Sequence, residues 1–323
     1  TYTFLSAKKM FDTFEGKAEG CYLYSRHSSP STLYLGEAIS AMEGTESAHV
    51  TASGMGAITP VMLQICGAGD HMISSRTIYG GTYAFLKNFA PRLNINTSFV
   101  DITNLEKVEA SINENTKMIF CEVVSNPLLE VADIEGLAML AKKHNLKLVV
   151  DNTFSPLSVS PGKLGADVII HSLTKFINGT NDTVGGVVCG TQQFIDSLRN
   201  VNDGAAMLLG PVMDSFRAAS ILKNLRTLHI RMKKHSENAK YLAERFEKDG
   251  LKVVYPGLKS HKDHELFKTM YNEEYGFGGM MTVDVGNLDK ANELMELMQH
   301  ENLGYLAVSL GFYKTLFSAP GTS

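Results

Sequence analysis

The sequence has no apolar run long enough to cross a bilayer, no basic run and few cysteines. A membrane-spanning helix needs about 20 consecutive apolar residues, so the strand-length apolar stretches here exclude a membrane span. The net charge of −4, without an aromatic-studded basic stripe, argues against nucleic acid as a partner. The four cysteines form no CxxC pair, which predicts reduced thiols in a cytoplasmic protein; they are Cys21, Cys66, Cys121 and Cys189.

The composition is that of an ordinary globular protein. Of the 323 residues, 44% are hydrophobic and 20% are charged. A chain of this length can bury a large core, and we expect it to divide into two domains. We expect an N-terminal arm over residues 1–40, a large domain over 41–210 and a smaller domain over 211–323. The chain starts at Thr1 with no signal peptide before it, and we expect it to be part of a longer gene product.

Between about residues 48 and 190, short apolar runs alternate with helical patterns. Several of the runs are apolar without alternation, as expected of parallel strands covered on both faces. A helix is predicted over 133–145, with Asp133 as its N-terminal cap. The pattern predicts an α/β fold with a mostly parallel sheet. The candidate strands are 49–52, 71–75, 97–100, 118–123, 146–151, 168–171 and 186–189.

After about Gly210 the pattern changes. One long helical region is predicted over 211–248, where apolar residues recur at helical spacing between lysines and arginines. Strands are predicted over 251–255, 280–285 and 306–309, with a helix over 288–299. This combination predicts a smaller α+β domain joined to the first by the long helix.

A carboxylate and a lysine each follow an apolar strand. Asp151 ends the run 148–151, and Lys175 lies 24 residues later, after the run 168–171. A lysine amine forms a covalent imine with pyridoxal phosphate, and a carboxylate keeps the pyridine nitrogen of that cofactor protonated. Asp151 at the carboxyl edge of the sheet lies where such folds bind ligands. Considered alone, Asp151 could equally cap a turn, and Lys175 could equally be an ordinary surface lysine.

The segment 51–57 reads as a strand end, a glycine turn and a helix start. Such a turn presents backbone N–H groups and the positive end of the helix to a phosphate. A dinucleotide motif would need glycine where Thr59 stands, so that interpretation is weak. A plain strand–helix turn remains an alternative. The hydroxyls of Ser172 and Thr174, beside the lysine, would also bind phosphate oxygens.

Four further side chains are candidates for cofactor contacts. Tyr79 follows the second strand beside two glycines, where it would lie flat on an aromatic cofactor, and Asn126 follows the fourth strand. Tyr24 and Arg26 lie two residues apart, so in an extended segment they would point the same way, and arginine binds phosphate bidentately. Each also has an ordinary structural interpretation as a loop or surface residue.

Taken together, these segments resemble the cysteine and methionine metabolism family of pyridoxal-phosphate enzymes, which has fold type I. The resemblance covers almost the whole chain, and its motifs are specific for the family rather than for one member. They are Tyr24-Ser25-Arg26, Ser53-Gly54-Met55-Gly56-Ala57, Tyr79-Gly80-Gly81-Thr82, Ser125-Asn126-Pro127, Asp151-Asn152-Thr153, His171-Ser172-Leu173-Thr174-Lys175 and Val308-Ser309-Leu310-Gly311.

The resemblance implies roles for the matching positions. Lys175 would bind pyridoxal 5′-phosphate covalently, Asp151 would pair with the pyridinium nitrogen, and Tyr79 would stack on the ring. Asn126 would contact the ring hydroxyl. The cofactor phosphate would be held by the glycine turn and by the hydroxyls beside the lysine, namely Ser53, Gly54, Met55, Ser172 and Thr174.

The resemblance also implies a homo-oligomer, a dimer that usually pairs into a tetramer. Tyr24 and Arg26 would reach the cofactor phosphate of the neighbouring subunit, so that sites are shared between subunits. Tyr24 and Ser309 would contact the substrate, Ser309 near its carboxylate. The arginine that binds this carboxylate in the family is expected beyond Ser323.

The activity implied is that of a carbon–sulfur lyase. Lys175 would move protons at the substrate Cα and Cβ, and Tyr79 would serve as acid or base for the leaving thiol. The products of γ-elimination would be a 2-oxo acid, ammonia and a thiol. Gly81 stands where typical methionine γ-lyases carry a cysteine. Val308 stands where cystathionine γ-lyases tend to carry a glutamate, which favours methionine or a related γ-thio amino acid as the substrate.

Other functions are weighed against this one. Cystathionine γ-synthase or γ-lyase activity, by γ-replacement or trans-sulfuration, uses the same residues and stays open. The SxxK pattern at Ser172–Lys175 lacks the partner motifs of a serine hydrolase. His261 and His264 have no convincing third ligand, so no metal is expected. A non-catalytic scaffold relative would be favoured by a missing lysine, but Lys175 is present.

Overall fold

A computed structural model describes residues 2–319 of the chain. Its centre is a seven-stranded sheet. All seven predicted strands are present, with their ends shifted by at most two residues. In chain order they are β1 (Ser47–Thr51), β2 (His71–Ser75), β3 (Asn96–Val100), β4 (Thr116–Glu122), β5 (Lys147–Asp151), β6 (Val168–Ser172) and β7 (Gly186–Gly190).

The strands lie in the order β1-β7-β6-β5-β4-β2-β3. β7 runs opposite to the other six strands, which all point the same way, so the prediction of a mostly parallel sheet is confirmed. Because the other strands run in one direction, their carboxyl ends meet at one edge. Open α/β sheets bind ligands at this edge.

Twelve α-helices lie within the described residues. They are α1 (Ala7–Phe14), α2 (Pro30–Glu43), α3 (Gly54–Ile65), α4 (Gly80–Ala84), α5 (Leu105–Ala110), α6 (Ile134–Lys143), α7 (Gln192–Arg199), α8 (Ala205–Leu209), α9 (Ser215–Leu225), α10 (Leu228–Lys248), α11 (His264–Met270) and α12 (Leu288–His300). A π-helical turn (Phe85–Phe89) and a 3₁₀ turn (Ala90–Leu93) continue α4, and a second 3₁₀ turn is Pro161–Leu164. None of these helices is both long and apolar enough to span a membrane.

Helices cover both faces of the sheet because its strands bury side chains on both sides. Val149 of β5 packs in one core with Ile58 of α3. Its neighbours Leu148 and Val150 pack on the opposite face with Leu137 of α6. Successive side chains of a strand point to opposite faces, so a strand covered on both sides needs an unbroken apolar run. That run is what the sequence shows.

The predicted helix at 133–145 is confirmed as α6. Asp133 is its N-terminal cap, and its Oδ1 accepts the N–H of Gly136 at 2.9 Å. The apolar face that includes Leu137 and Ala141 is buried. The helix ends at Lys143, two residues earlier than expected, because Asn145 adopts a positive φ of 56° that ends helical geometry.

The single helix predicted over 211–248 is wrong: the chain forms α9 and α10, separated at Arg226 and Thr227. The N–H and the hydroxyl of Thr227 both donate to the carbonyl of Asn224, at 3.1 and 3.0 Å, and close a turn there. Threonine side chains compete with the helix for such carbonyls. The apolar spacing continues across the break, which is why the pattern alone suggested one helix.

The C-terminal part contains two small sheets. β8 (Lys252–Val254) pairs antiparallel with β9 (Thr282–Asp284), and β10 (Tyr305–Leu306) pairs parallel with β11 (Leu316–Phe317). The strand predicted over 306–309 is therefore wrong beyond Leu306. Gly311 has a φ of +78° and its Cα packs so close to the backbone of Phe176 that a Cβ would lie 2.3 Å from that N–H nitrogen. The chain leaves strand geometry to make this contact.

The N-terminal segment contributes to the main core. Leu35 and Ile39 of α2 are fully buried and pack with Ile169 of β6. Helix α2 spans the predicted boundary at residue 40, and α9 packs in the same core through Ile221. The three predicted domain ranges remain predictions.

Candidate active site

The carboxyl edge of the sheet collects most of the predicted site residues. Ser53 follows β1, Tyr79 follows β2, Asn126 follows β4, Asp151 ends β5 and Lys175 follows β6. These positions are far apart in the chain, and the strand order brings β4, β5 and β6 side by side. The edge expected from the parallel pattern is thus where the side chains converge.

The glycine turn joins the end of β1 to the end of β6. Ser53 caps α3, and its Oγ accepts the N–H of Gly56 at 2.9 Å. Gly54 lies so close to Ser172 that a Cβ at residue 54 would meet the serine Cβ at 3.0 Å and its Oγ at 3.1 Å. The start of a 12-residue helix and the Ser172 hydroxyl therefore face one small space. Helix N-termini favour anionic groups such as phosphate.

The two hydroxyls beside the lysine differ in their contacts. Ser172 has its N–H bonded to Thr153 Oγ1 at 2.8 Å, and no protein acceptor is recorded for its hydroxyl within residues 2–319. Thr174 Oγ1 donates to the carbonyl of Gly185 at 3.3 Å and accepts its N–H at 3.1 Å. Ser172 is available to bind a phosphate as it stands. Thr174 would have to give up its long bond to Gly185.

Two buried carboxylates lie side by side at this edge. Asp151 and Glu122 are register partners on β5 and β4, and each is 8% exposed. Burial, followed by the charge of Asp151, raises the pKa of Glu122 to about 8. Burial also raises the pKa of Asp151, against the hydrogen bonds from Thr153 that lower it. Over residues 2–319, neither carboxylate has a lysine or arginine partner.

An uncompensated pair of buried carboxylates suits a cationic ligand. Asp151 accepts hydrogen bonds from the backbone and the side chain of Thr153, with the backbone N–H 2.9 Å from Oδ1, but it has no lysine or arginine partner within residues 2–319. A protonated ring nitrogen would supply the missing positive charge together with a charge-assisted hydrogen bond. The donor set of this edge therefore fits a phosphate at one end and a pyridinium at the other.

The loops of Tyr79 and Asn126 are both held by Glu122, which sequence reasoning missed. Its Oε1 accepts the N–H of Tyr79 at 2.7 Å, and its Oε2 accepts the N–H of Asn126 at 3.1 Å. The Tyr79 side chain is 48% exposed, and its ring lies over Gly81. The sequence does contain one indication of this role: Glu122 ends a strand that is otherwise apolar, and a glutamate is unusual in a buried strand unless its carboxylate has specific partners.

Lys175 is half-buried and has no carboxylate partner within the described chain. Burial lowers its pKa, so that more of the neutral amine is present than for a surface lysine. Its Nζ donates to Ser309 Oγ at 3.1 Å. Ser309 Oγ in turn donates to Asn181 Oδ1 at 3.4 Å. The predicted lysine and the predicted substrate-binding serine are thus brought together.

Tyr24 and Arg26 are not brought to this edge in their own subunit. The segment is a turn, with the N–H of His27 bonded to the Tyr24 carbonyl at 3.0 Å, so the expected extended conformation is wrong. The two side chains still meet, because the Arg26 guanidinium lies 5.0 Å from the centre of the Tyr24 ring. Arg26 Nη1 donates to the carbonyl of Met207 at 2.8 Å.

A second buried network, also missed from the sequence, lies behind the site. Glu43 Oε1 accepts bonds from His171 Nε2 at 2.7 Å and from Asn152 Nδ2 at 3.0 Å. All three side chains are almost fully buried. His171 precedes Ser172 and Asn152 follows Asp151, so alternation places this network on the other face of the sheet.

The two histidines that were weighed as metal ligands have structural partners. His261 Nε2 contacts the carbonyl of Leu129 at 3.1 Å, and His264 Nδ1 contacts that of Pro256 at 2.8 Å. The His264 ring also stacks on Phe277 at 5.1 Å. Within residues 2–319 no group of three potential ligands could hold a metal ion.

Comparison with known proteins adds to this geometry. The family model described as "Cys/Met metabolism PLP-dependent enzyme" matches residues 1–323, PLP being pyridoxal 5′-phosphate. Methionine gamma-lyase of Arabidopsis thaliana is 45% identical over 319 residues, which cover 98% of this chain and 72% of that protein. Cystathionine gamma-lyase of Bacillus subtilis is 36% identical over 303 residues, covering 93% and 77%.

A solved structure is similar in fold. It is that of metY from Campylobacter jejuni, with a TM-score of 0.89 and 30% identity over 98% of this chain and 85% of that one. That structure carries N′-pyridoxyl-lysine-5′-monophosphate, a lysine joined to the cofactor.

Proposed function

This chain belongs to the Cys/Met metabolism family of PLP-dependent enzymes, and from that premise we propose that it breaks the Cγ–S bond of methionine or of a related γ-thio amino acid. The observation that carries the proposal is Lys175, a half-buried amine without a carboxylate partner in the described chain, facing Ser309 at the site edge. The 45% identity to a methionine gamma-lyase supports the substrate class. The fold type I prediction and the enzyme prediction are confirmed.

Pyridoxal 5′-phosphate is the cofactor of the family, and the donor set described above fits it. We assign covalent attachment to Lys175, the ring nitrogen to Asp151, the ring hydroxyl to Asn126 and the ring face to Tyr79. We assign the phosphate to the helix start and the adjoining hydroxyls, comprising Ser53, Gly54, Met55, Ser172 and Thr174. Ser53 already bonds Gly56, so its contribution is to order the turn.

When bound, the cofactor withdraws electrons from the bonds at the substrate Cα. The chain then has to move protons. Once the substrate amine has displaced it from the cofactor, the freed Lys175 Nζ, whose pKa is lowered by burial, would take the Cα proton and serve next at Cβ. The exposed phenol of Tyr79 gives a proton to the sulfur that leaves Cγ. Ser309 orients the lysine through the 3.1 Å bond and contacts the substrate near its carboxylate. Water completes the release of a 2-oxo acid and ammonia.

The assembly we propose is a homo-oligomer, a dimer of dimers, with sites shared between subunits. Tyr24 and Arg26 support this, because the exposed Arg26 packs on the half-buried Tyr24 ring and is bonded to the Met207 carbonyl rather than to a residue of the site edge of its own subunit. A phosphate brought by a neighbouring subunit would replace the Met207 carbonyl as the partner of Arg26. A cytoplasmic location is part of the same proposal: Cys66, Cys121 and Cys189 are buried, and all four thiols are free.

The alternative, cystathionine γ-synthase or γ-lyase activity by γ-replacement or trans-sulfuration, keeps the same lysine and the same cofactor contacts. Its support is the 36% identity to a cystathionine gamma-lyase. Val308 weighs against it, since this exposed residue offers no carboxylate beside Ser309. The non-catalytic scaffold alternative is dropped, because the family is one of enzymes.

One assay separates these activities. The PLP-loaded protein is incubated separately with methionine, cystathionine and O-acetylhomoserine plus a thiol, and 2-oxobutanoate and thiol release are followed. We expect 2-oxobutanoate and methanethiol in equal amounts from methionine, and none with Lys175→Ala. Product from cystathionine or O-acetylhomoserine alone would assign the chain to the alternative.

A further inference from the structure

One carboxylate joins the two loops that flank the proposed cofactor ring. The loop of Tyr79 follows β2 and the loop of Asn126 follows β4, and Glu122 accepts one backbone N–H from each, at 2.7 and 3.1 Å. The bonds go to different oxygens, Oε1 and Oε2. The position of one loop is therefore tied to that of the other.

Neither N–H has a backbone acceptor within residues 2–319. Tyr79 stands just before α4, and its own side chain does not cap that helix. A partly buried N–H that loses its acceptor is destabilising, so this carboxylate helps to fix the position of each loop. A glutamate side chain offers an acceptor oxygen to each loop, and most strongly when it is ionised, whereas a glutamine would present its NH₂ to one of them.

The second observation is the place of Glu122 beside Asp151. The two are register partners on adjacent strands and lie on the same face. The groups that act on the pair are each other, the Tyr79 and Asn126 N–H groups, Thr153 and His171, which acts on Asp151. Burial and Asp151 raise the pKa of Glu122 to about 8. A cation held by Asp151 would offset the part of this rise that the Asp151 charge causes, which favours the ionised form of Glu122.

We propose that Glu122 is a positioning residue that holds Tyr79 and Asn126 against the cofactor ring, and that its hold is strongest when the ring nitrogen occupies Asp151. The proposal rests on the assignment of the cofactor to this edge, and not on the identity of the substrate. It links cofactor binding to the loss of a proton from Glu122.

The test compares Glu122→Gln and Glu122→Asp with the wild-type holoenzyme. Release of pyridoxal 5′-phosphate on dilution and its rebinding are measured from pH 6 to 8, with the circular dichroism of the bound cofactor and thermal unfolding. Glu109→Gln is the matched control, since it removes one carboxylate on the surface, paired with Lys143 at 2.6 Å.

For the wild type we expect affinity to fall as the pH drops below about 8, where Glu122 of the cofactor-free protein takes up a proton. Glu122→Gln should bind the cofactor about tenfold more weakly at pH 8, the effect of one lost charge-assisted hydrogen bond, and should lose part of this pH dependence. Glu122→Asp should keep the pH dependence but change the circular dichroism, because its shorter side chain cannot reach both loops. Glu109→Gln should match the wild type.

Wild-type affinity and wild-type pH dependence in Glu122→Gln would overturn the proposal. If that variant does not fold, unchanged circular dichroism and unchanged release in Glu122→Asp would overturn it instead. If the cofactor does not bind at this edge at all, Lys175→Ala will bind pyridoxal 5′-phosphate as the wild type does. That result distinguishes a wrong cofactor assignment from a wrong role for Glu122. Failure of methionine as a substrate leaves the expected cofactor results unchanged.

Discussion

Lys175 Nζ donates a hydrogen bond of 3.1 Å to Ser309 Oγ, although the two residues lie 134 positions apart in the chain. The segment after Ser309 packs on the same strand end, since a Cβ at Gly311 would lie 2.7 Å from the Lys175 carbonyl carbon. The C-terminal segment thus fixes the direction of the amine. It does so without an ion pair, which leaves burial as the cause of the lowered pKa of Lys175.

Lys175→Ala should abolish turnover while leaving the fold intact. The change removes both the amine that attaches the cofactor and the base that moves the Cα proton, so the rate should fall by at least about 10³-fold. Stability should change little, since the amine has one hydrogen bond, to the Ser309 hydroxyl, and no ion pair within residues 2–319. Steady-state kinetics and urea unfolding measure the two effects, and mass spectrometry after borohydride reduction should find no cofactor adduct. Turnover within tenfold of wild type would refute the role.

Ser309→Ala should lower kcat/KM by about fivefold, which corresponds to the loss of one hydrogen bond of about 1 kcal/mol. The amine would keep its burial but lose its fixed direction. Thermal unfolding should stay close to that of the wild type because Ser309 is at the exposed edge. Ser318→Ala, a change of the same chemistry later in the segment, is the control. Equal kinetics in the two variants would speak against the orienting role.

Gly81→Cys should disturb Tyr79. A Cβ at residue 81 would lie 2.6 Å from Tyr79 Cε1 and 3.3 Å from Met55 Sδ, so the tyrosine ring has to move. We expect a lower kcat with a smaller change in stability, because the ring is half-exposed and can shift. Gly80→Ala is a matched control, since nothing lies within 4 Å of its Cβ position. The prediction fails if Gly80→Ala reduces kcat as much as Gly81→Cys does.

Glu43→Ala should lower the free energy of unfolding by about 3 kcal/mol, because it leaves two buried donors without their acceptor. These donors are the His171 Nε2–H and one N–H of Asn152 Nδ2, which also donates to the Val159 carbonyl at 2.9 Å. Urea unfolding of the cofactor-free protein measures the loss. Glu37→Ala, on the exposed face of the same helix, should stay within about 0.5 kcal/mol of the wild type. A similar small effect at Glu43 would mean that the network contributes little to stability.

Arg26→Ala should weaken cofactor binding across a subunit boundary. Among residues 2–319 of its own subunit, Arg26 bonds only the Met207 carbonyl and covers Tyr24, so the isolated fold should tolerate the change. Mixed dimers of Arg26→Ala and Lys175→Ala chains should regain one complete site and about half of the wild-type activity. Each parent assembly is the control. Mixed dimers no more active than the parents would argue against a shared site.

Much of the site was predictable because it lies where local patterns end. Asp151 and Lys175 follow apolar strands, and Ser53 follows another at a glycine turn, so strand positions alone placed them at one edge. The turn that contains Tyr24 and Arg26 was not predictable, because the residues of this short segment are compatible with both an extended conformation and a turn. The break at Thr227 was hidden because the apolar spacing runs through it.

By itself the sequence determined the seven strands, the helix capped by Asp133 and the lysine that the chemistry needs, because periodicity, capping and strand ends are local properties of the chain. Only the tertiary structure decided what the buried polar groups bind. Glu122 meets Tyr79, and Glu43 meets His171, since the order of the strands and the packing of α2 bring them together. A hydrogen bond between distant residues leaves no periodic trace in sequence, so its partners are known only once the elements are packed.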